Sequence, residues 1–173
     1  MMNYSEFYTF PKNVVTRWES NENPEGEKGA GGKAGNGRKG SPWFRLNKGE
    51  SHVLAHAENT SGMIRRIWIT ISEQIPETLR GIRLEMFWDN SDQPAVSVPL
   101  GDFFCVGLGK TAVFKNALFT NPEGRSFSTC IPMPFKTGMK ITVTNESSVD
   151  VRHFYYDIDY TLGDVFSDQM MYF

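Results

Sequence analysis

Cysteine is scarce in this 173-residue chain, which contains only Cys105 and Cys130. Two cysteines are too few for the disulfide framework that stabilises many small secreted domains. Both lie in apolar stretches of the sequence, where a buried free cysteine behaves as a small hydrophobic residue. We therefore expect two reduced thiols and no bridge. The cysteines and histidines show no zinc-binding spacing, so the sequence predicts no metal site.

The chain also lacks a strong charge of either sign, with 18 basic and 20 acidic residues and a net charge of −2. This balance gives no indication of nucleic acid or an acidic membrane as a partner. No apolar run reaches the length of a membrane span. The first residues, Met1–Glu6, lack the basic region and apolar core of a signal peptide. We expect a cytoplasmic protein with no membrane partner.

Helical periodicity is missing as well, and only residues 75–81 have room for a short helical turn. Strict period-two alternation of apolar and polar residues, typical of half-buried strands, is strong instead. It occurs over residues 62–73, 79–89, 138–146 and 151–162. Turn residues separate these segments from weaker strands, which we predict at 43–46, 50–58, 94–100, 111–119 and 127–131. The pattern predicts an all-β fold, an antiparallel β-sandwich with a jelly roll as the leading topology.

Three regions of the chain differ in composition. Residues 1–19 form an apolar arm, residues 20–41 form a loop with seven glycines, and residues 42–173 carry all the predicted strands. The loop is either a flexible linker or a functional loop from which Glu22, Asn23 and Arg38 reach a ligand.

The stretch Val98–Gly107 places Asp102 beside two aromatic rings, Phe103 and Phe104, and between two glycines. A carboxylate next to exposed rings at a strand end is suited to binding a sugar. The alternative is a turn in which Asp102 caps local backbone N–H groups while both rings pack inward.

Two further features have competing interpretations. Asp157 and Asp159 share one strand face, either as paired carboxylates for glycoside hydrolysis or as part of a solvated outer face. The segment Pro132–Phe135 either forms a rigid turn that seats Phe135 in the core or forms a wall of a ligand cleft.

Eight motifs occur in a fixed order along the chain. They are Ser20–Glu27, Gly37–Gly40, Ile64–Thr70, Met86–Asp89, Val98–Cys105, Pro132–Phe135, Thr144–Glu146 and Phe154–Tyr160. Together they resemble the N-terminal half of glycoside hydrolase family 172, from about Arg17 onward. The resemblance implies half of a double jelly roll, and homo-oligomers built on trimers with the active site near a subunit interface. It also implies furanoside substrates, a retaining mechanism with two glutamates, and no metal or organic cofactor.

The family's two glutamates lie in motifs of the type Gly-Glu-Gly-Asp/Glu and Gly-Thr-Gly-Thr-Glu-Asp-Tyr-Phe, and neither motif occurs in this sequence. We therefore assign no catalytic residue and expect no activity from this chain alone. The chain would be a fragment, a truncated gene product or a relative with a single jelly roll.

The resulting prediction is the N-terminal jelly-roll part of a furanoside-active glycoside hydrolase. Its expected sugar-binding residues are Trp18, Glu22, Asn23, Asp102, Phe103 and Phe104. The alternatives are a structural or carbohydrate-binding jelly-roll module, and an autonomous hydrolase that uses Asp157 and Asp159.

Overall fold

The structure is a computed structural model and describes residues 9, 11–33 and 40–173. Most of the predicted arm (residues 1–8 and 10) and part of the loop (34–39, including Arg38) lie outside the described residues. The described chain forms strands β1 (Val15–Ser20), β2 (Phe44–Leu46), β3 (Ser51–Glu58), β4 (Gly62–Ile71), β5 (Ile82–Trp88), β6 (Val96–Pro99), β7 (Phe114–Lys115), β8 (Phe119–Asn121), β9 (Phe127–Thr129), β10 (Met133–Phe135), β11 (Gly138–Asn145) and β12 (Val151–Leu162), with short helices α1 (Pro76–Gly81) and α2 (Leu100–Phe103) and a 3₁₀ turn at Pro122–Gly124.

The strands form two antiparallel sheets. The large sheet has the order β1-β12-β4-β9-β8-β7, with β2 paired to β12 and β10 paired to β4, and the small sheet has the order β3-β11-β5-β6. The consecutive strands β3, β4 and β5 lie alternately in the two sheets, as do β11 and β12, so the chain crosses the sandwich repeatedly. This connectivity is that of a jelly roll, which confirms the predicted all-β sandwich.

The period-two alternation identified the core faces correctly. In β4 the inward side chains Ile67, Ile69 and Ile71 are buried, and the other three alternating segments behave in the same way. The residues buried on the inner faces of β5, β11 and β12 are Ile82, Leu84, Met86, Trp88, Ile141, Val143, Phe154, Tyr156, Ile158 and Tyr160. Each sheet therefore presents one apolar face to the other, as a sandwich requires.

Two local expectations need correction. Cys105 and Cys130 are free, as predicted, but both are exposed and not buried. Pro132–Phe135 does not form a turn, because Met133–Phe135 is strand β10 and pairs with β4. Phe135 is nevertheless fully buried, as predicted for that ring. The short helical turn predicted at residues 75–81 is helix α1.

The two edges of the sandwich position the residues of interest. At one edge β1, the last strand of the large sheet, contacts β3, the last strand of the small sheet. At the opposite edge of the small sheet β6 leads directly into α2, whose Phe103 contacts Phe119 of β8. Within the described ranges, neither short helix is long and apolar enough to cross a membrane.

Candidate functional site

A cleft of about 780 Å³ opens beside β1 and residues 22–32 of the glycine-rich loop. This volume lies in the range of typical small-molecule sites. Trp18, Glu22 and Asn23, three of the predicted sugar-binding residues, line it together. The remaining walls come from the loop and from β4 and β12, and they include Gly26, Lys28, Gly31, Arg65, Asp159, Tyr160 and Thr161.

Trp18 is held in place from two sides. Its indole Nε1–H donates a hydrogen bond to Asp157 Oδ1 at 3.0 Å, although the two residues are 139 positions apart. Gly31 of the loop lies against the indole ring, and a Cβ atom at Gly31 would overlap the ring edge. The half-buried ring is therefore fixed in orientation before any ligand arrives, which lowers the entropic cost of binding.

The neighbouring carboxylates are also partnered. Arg66 donates to Asp159 Oδ2 and lies 4.0 Å from Asp157 Oδ2. Asp157 and Asp159 thus share one face of β12, as predicted, and contact Trp18 and Arg66 there. This arrangement makes the two aspartates supports for the cleft wall and favours the structural interpretation over an acid–base pair.

Glu22 and Asn23 have different surroundings in the cleft. The Asn23 side chain is buried and engaged with the backbone, because its Nδ2 donates to the carbonyls of Trp18 and Glu27 and its Oδ1 accepts from the Glu27 N–H. Asn23 therefore shapes the loop. Glu22 Oε1 is buried and has no hydrogen-bond partner among the described residues. A buried carboxylate oxygen without a donor is costly, so it is a ready acceptor for a ligand hydroxyl group.

Beneath the cleft lies Glu19, a residue that our sequence prediction omitted. Its side chain is fully buried, and its carboxylate accepts hydrogen bonds from the Tyr160 hydroxyl and from the His56 N–H at 3.0 Å. Burial raises the pKa of Glu19 to about 7, despite the opposing effect of these hydrogen bonds. Burial of the Tyr160 hydroxyl, together with its hydrogen bond to Glu19, raises the pKa of Tyr160. Glu19 thus joins β1, β3 and β12 in one polar cluster.

A pattern that could have revealed Glu19 is present in the sequence. Arg17 and Glu19 alternate with Trp18 in Val15–Ser20, and this register places Arg17 and Glu19 opposite Tyr160 and Ile158 of β12. The apolar arm predicted for residues 1–19 includes most of this strand, whose period is hard to detect because β1 is short and carries charged residues on its inner face.

The second group of predicted site residues lies at the opposite edge. The Asp102 carboxylate pairs with Arg80, whose Nη1 lies 2.6 Å from Asp102 Oδ1 and also donates to the Gly107 carbonyl. Among the described residues, the donor to the Asp102 carboxylate is thus the Arg80 guanidinium and not a backbone N–H, unlike the capping turn that the sequence left open. Phe104 is 1% exposed and Phe103 is half-buried against the core. In a single chain the structure does not bring Asp102, Phe103 and Phe104 together with Trp18.

The comparisons with known proteins assign the chain to a family. A family model described as GH172 domain-like matches residues 40–158, well over half of the chain. A comparison with curated proteins found no significant match. The matched range includes β2 to β11 and most of β12, and thus most of both sheets. The chain is therefore a domain related to glycoside hydrolases, and it belongs to the GH172 domain-like family.

Proposed function

We propose that this chain is a furanoside-binding jelly roll that serves a glycoside hydrolase and binds sugar in the Trp18 cleft. The observation that carries the proposal is the unpaired, buried Glu22 Oε1 beside a fixed indole ring. A sugar ring offers both matching features, namely hydroxyl donors at its rim and an apolar C–H face. The described part of the loop supplies the third side of the cleft through Asn23 and Gly31.

The binding experiment uses isothermal titration with methyl arabinofuranoside and methyl fructofuranoside. Glu22→Gln keeps the size of the side chain. With its NH₂ group at the position of Oε1, the amide places a donor where the donor of the ligand should bind. We expect this variant to weaken binding about tenfold, and Trp18→Ala to weaken it further. The matched control is Glu123→Gln, an exposed glutamate outside the cleft. Equal affinity of the wild type and both cleft variants, or no binding by the wild type, would contradict the proposal.

The same proposal assigns no hydrolysis to this chain alone. Asp157 accepts a hydrogen bond from Trp18, and Asp159 accepts one from Arg66, so neither carboxylate is free to act on a sugar. Among the described residues, Glu22 has no second carboxylate beside it to complete an acid–nucleophile pair. The family's glutamate motifs are also absent from the sequence. We expect no release of sugar from a chromogenic arabinofuranoside by the purified chain. Turnover that disappears in Asp157→Asn would instead support an autonomous hydrolase.

A second candidate function, an assembly module, is favoured by one segment with several exposed apolar side chains. Leu108, Val113 and Leu118 are 85%, 72% and 51% exposed in the segment that follows α2. Clusters of exposed apolar side chains are typical of protein–protein contacts. In this proposal the chain forms a trimer-based homo-oligomer, in which the Asp102 edge of one copy approaches the Trp18 cleft of another.

Light scattering tests this assembly directly. We expect an oligomer whose mass falls in the double variant Leu108→Ser, Val113→Ser. Asp102→Ala should then weaken furanoside binding in the oligomer but not in the dissociated chain. A wild type that stays monomeric at high concentration would contradict the assembly. The titration would then test sugar binding at the Trp18 cleft of the monomer.

A further inference from the structure

A second cleft, of about 450 Å³, adjoins the Trp18 cleft. Arg65 and Thr161 line both cavities, so the two clefts are neighbours that share these side chains. The second cleft continues toward the end of β12 and the residues that follow it. Its other lining residues are Thr9, Pro11, Val14, Met63, Asp164, Val165 and Phe166.

The polar end of this second cleft is an ion pair between Arg65 and Asp164, in which one carboxylate oxygen has no hydrogen-bond partner among the described residues. Arg65 Nη2 donates to Asp164 Oδ1 at 3.1 Å, and Arg65 Nε donates to Thr161 Oγ1 at 3.3 Å. The Asp164 side chain is 8% exposed. Its second oxygen, Oδ2, is buried and accepts no hydrogen bond from any residue that the structure describes.

Only the aspartate of this ion pair is buried, since the Arg65 side chain is 42% exposed. A carboxylate taken out of water is stabilised only when its lone pairs are satisfied, so an oxygen without a donor destabilises the free protein. Arg65 satisfies one side of Asp164 and fixes its orientation. The unpaired oxygen needs a donor such as an O–H group.

The remaining walls have a complementary character. Val14, Met63 and Val165 are apolar and face the same cavity as Asp164. A ligand that combines O–H donors with an apolar face satisfies both walls, and a sugar ring has this combination. Because the two clefts adjoin at Arg65 and Thr161, a ligand of more than one ring can extend from one cleft to the other.

We propose that Asp164, Arg65 and Thr161 form a second sugar subsite, so that the chain binds a furanoside of two or more rings along β12. This inference rests on the proposed furanoside binding at Trp18. The first ring lies at Trp18 and Glu22, and a later ring donates a hydroxyl hydrogen bond to Asp164 Oδ2. Arg65, at the junction, contacts the oxygen atoms between the rings.

The test compares one-ring and three-ring ligands by titration of the full chain with methyl arabinofuranoside and arabinofuranotriose. We expect the wild type to bind the trisaccharide about tenfold more tightly, since a hydrogen bond to a charged group adds about that factor. Asp164→Asn retains an acceptor for Arg65 and replaces the unpaired acceptor by a donor. It should remove the advantage of the trisaccharide and leave the one-ring affinity unchanged.

The matched control is Asp150→Asn, which alters a partly exposed aspartate paired with Arg45 outside both clefts. It should bind both ligands as the wild type does. A measurement without substitution complements these variants: amide NMR signals of Val165 and Phe166 should shift with the trisaccharide but not with the one-ring ligand. These shifts decide the matter if Asp164→Asn does not fold.

The outcomes separate the two proposals. Equal wild-type affinity for both ligands, or an Asp164→Asn variant that keeps the trisaccharide advantage, overturns the second subsite but not binding at Trp18. The proposed function itself is overturned if neither ligand binds the wild type. It is also overturned if Trp18→Ala binds the one-ring ligand as tightly as the wild type does.

Discussion

The two edges of the sandwich each place an aromatic side chain beside a carboxylate, but their surroundings differ. At the β1 edge Trp18 lies beside Glu22, whose Oε1 is buried without a partner among the described residues, and above the buried Glu19. At the β6 edge the Asp102 carboxylate is neutralised by Arg80, and Phe104 is fully packed in the core. A carboxylate oxygen at the first edge lacks a donor among the described residues, whereas the carboxylate at the second edge is paired with Arg80.

This difference shows how a binding edge can be distinguished from a structural one. Satisfied ion pairs at partly exposed positions contribute little and invite no ligand. A buried oxygen without a donor lowers the stability of the free protein and is compensated when a ligand supplies the donor. The β1 edge therefore has the stronger claim to a ligand, although both edges carry similar residue types in sequence.

The largest expected effect tests whether the β6 edge is core. Phe104→Ala should destabilise the protein by about 3–5 kcal/mol, because the ring is 1% exposed and stacks on Phe127 at 5.6 Å. Chemical denaturation measures the change. Phe103→Ala is the control and should cost about 1 kcal/mol, since that ring is only half-buried. Equal costs for the two rings would show that Phe104 is not the packed member of the pair.

The second prediction concerns pH and the β1 edge. Glu19 has an ordinary pKa of 4.5 and a folded pKa of about 7, so the folded state binds more protons between these values. The free energy of unfolding should therefore fall as pH rises from about 4.5 to 7, by at most about 3 kcal/mol. Thermal denaturation across this range measures it.

Glu19→Gln provides the comparison, because the neutral amide resembles the protonated acid. It should remove this component of the pH dependence while retaining bonding to Tyr160 and His56. A variant with the same pH slope as the wild type would mean that Glu19 titrates normally in the folded state.

The third prediction compares one glycine from each edge. Gly31→Ala places a methyl group against the Trp18 ring and should cost about 1–3 kcal/mol through displacement of the loop. Gly107→Ala has only Asp102 Oδ1 nearby, at 3.9 Å, and should change stability by less than about 0.5 kcal/mol. Neither glycine has a left-handed backbone conformation. Denaturation curves of the two variants give the comparison, and equal costs would contradict the close contact at Gly31.

The smallest expected effect is at the Arg80–Asp102 pair. The two side chains are 51% and 30% exposed, so their interaction is largely screened by solvent. Asp102→Asn should lower the free energy of unfolding by at most about 1 kcal/mol. A double-mutant cycle with Arg80→Ala measures the coupling, and a coupling of several kcal/mol would show that this edge too depends on a strong charge pair.

Much of the fold was predictable because its information is local. The alternation in residues 62–73 and 151–162 identified β4 and β12 and their buried faces, and the turn residues separated the strands. The short strands were harder: β10 was predicted as a turn, because two prolines in four residues are unusual in a strand. Its pairing with β4 depends on a partner about 70 residues away.

The candidate site was only partly predictable for the same reason. Trp18, Glu22 and Asn23 are neighbours in sequence, so their proximity followed from the chain itself. The role of Glu19 depends on its contact with Tyr160, and the role of Arg65 depends on its contacts with Thr161 and Asp164. These partners are about 100 residues or more apart in the sequence.

The sequence alone determined the all-β class, the inner faces of the long strands, the absence of the family's glutamate motifs and the resemblance to the GH172 domain. Period-two alternation states which face of a strand is buried, but it does not state which strands become neighbours. Only the tertiary structure decided that Trp18 and Asp102 lie at opposite edges. It also decided which carboxylates find donors and which remain unpaired, because burial and hydrogen bonding depend on contacts between distant segments.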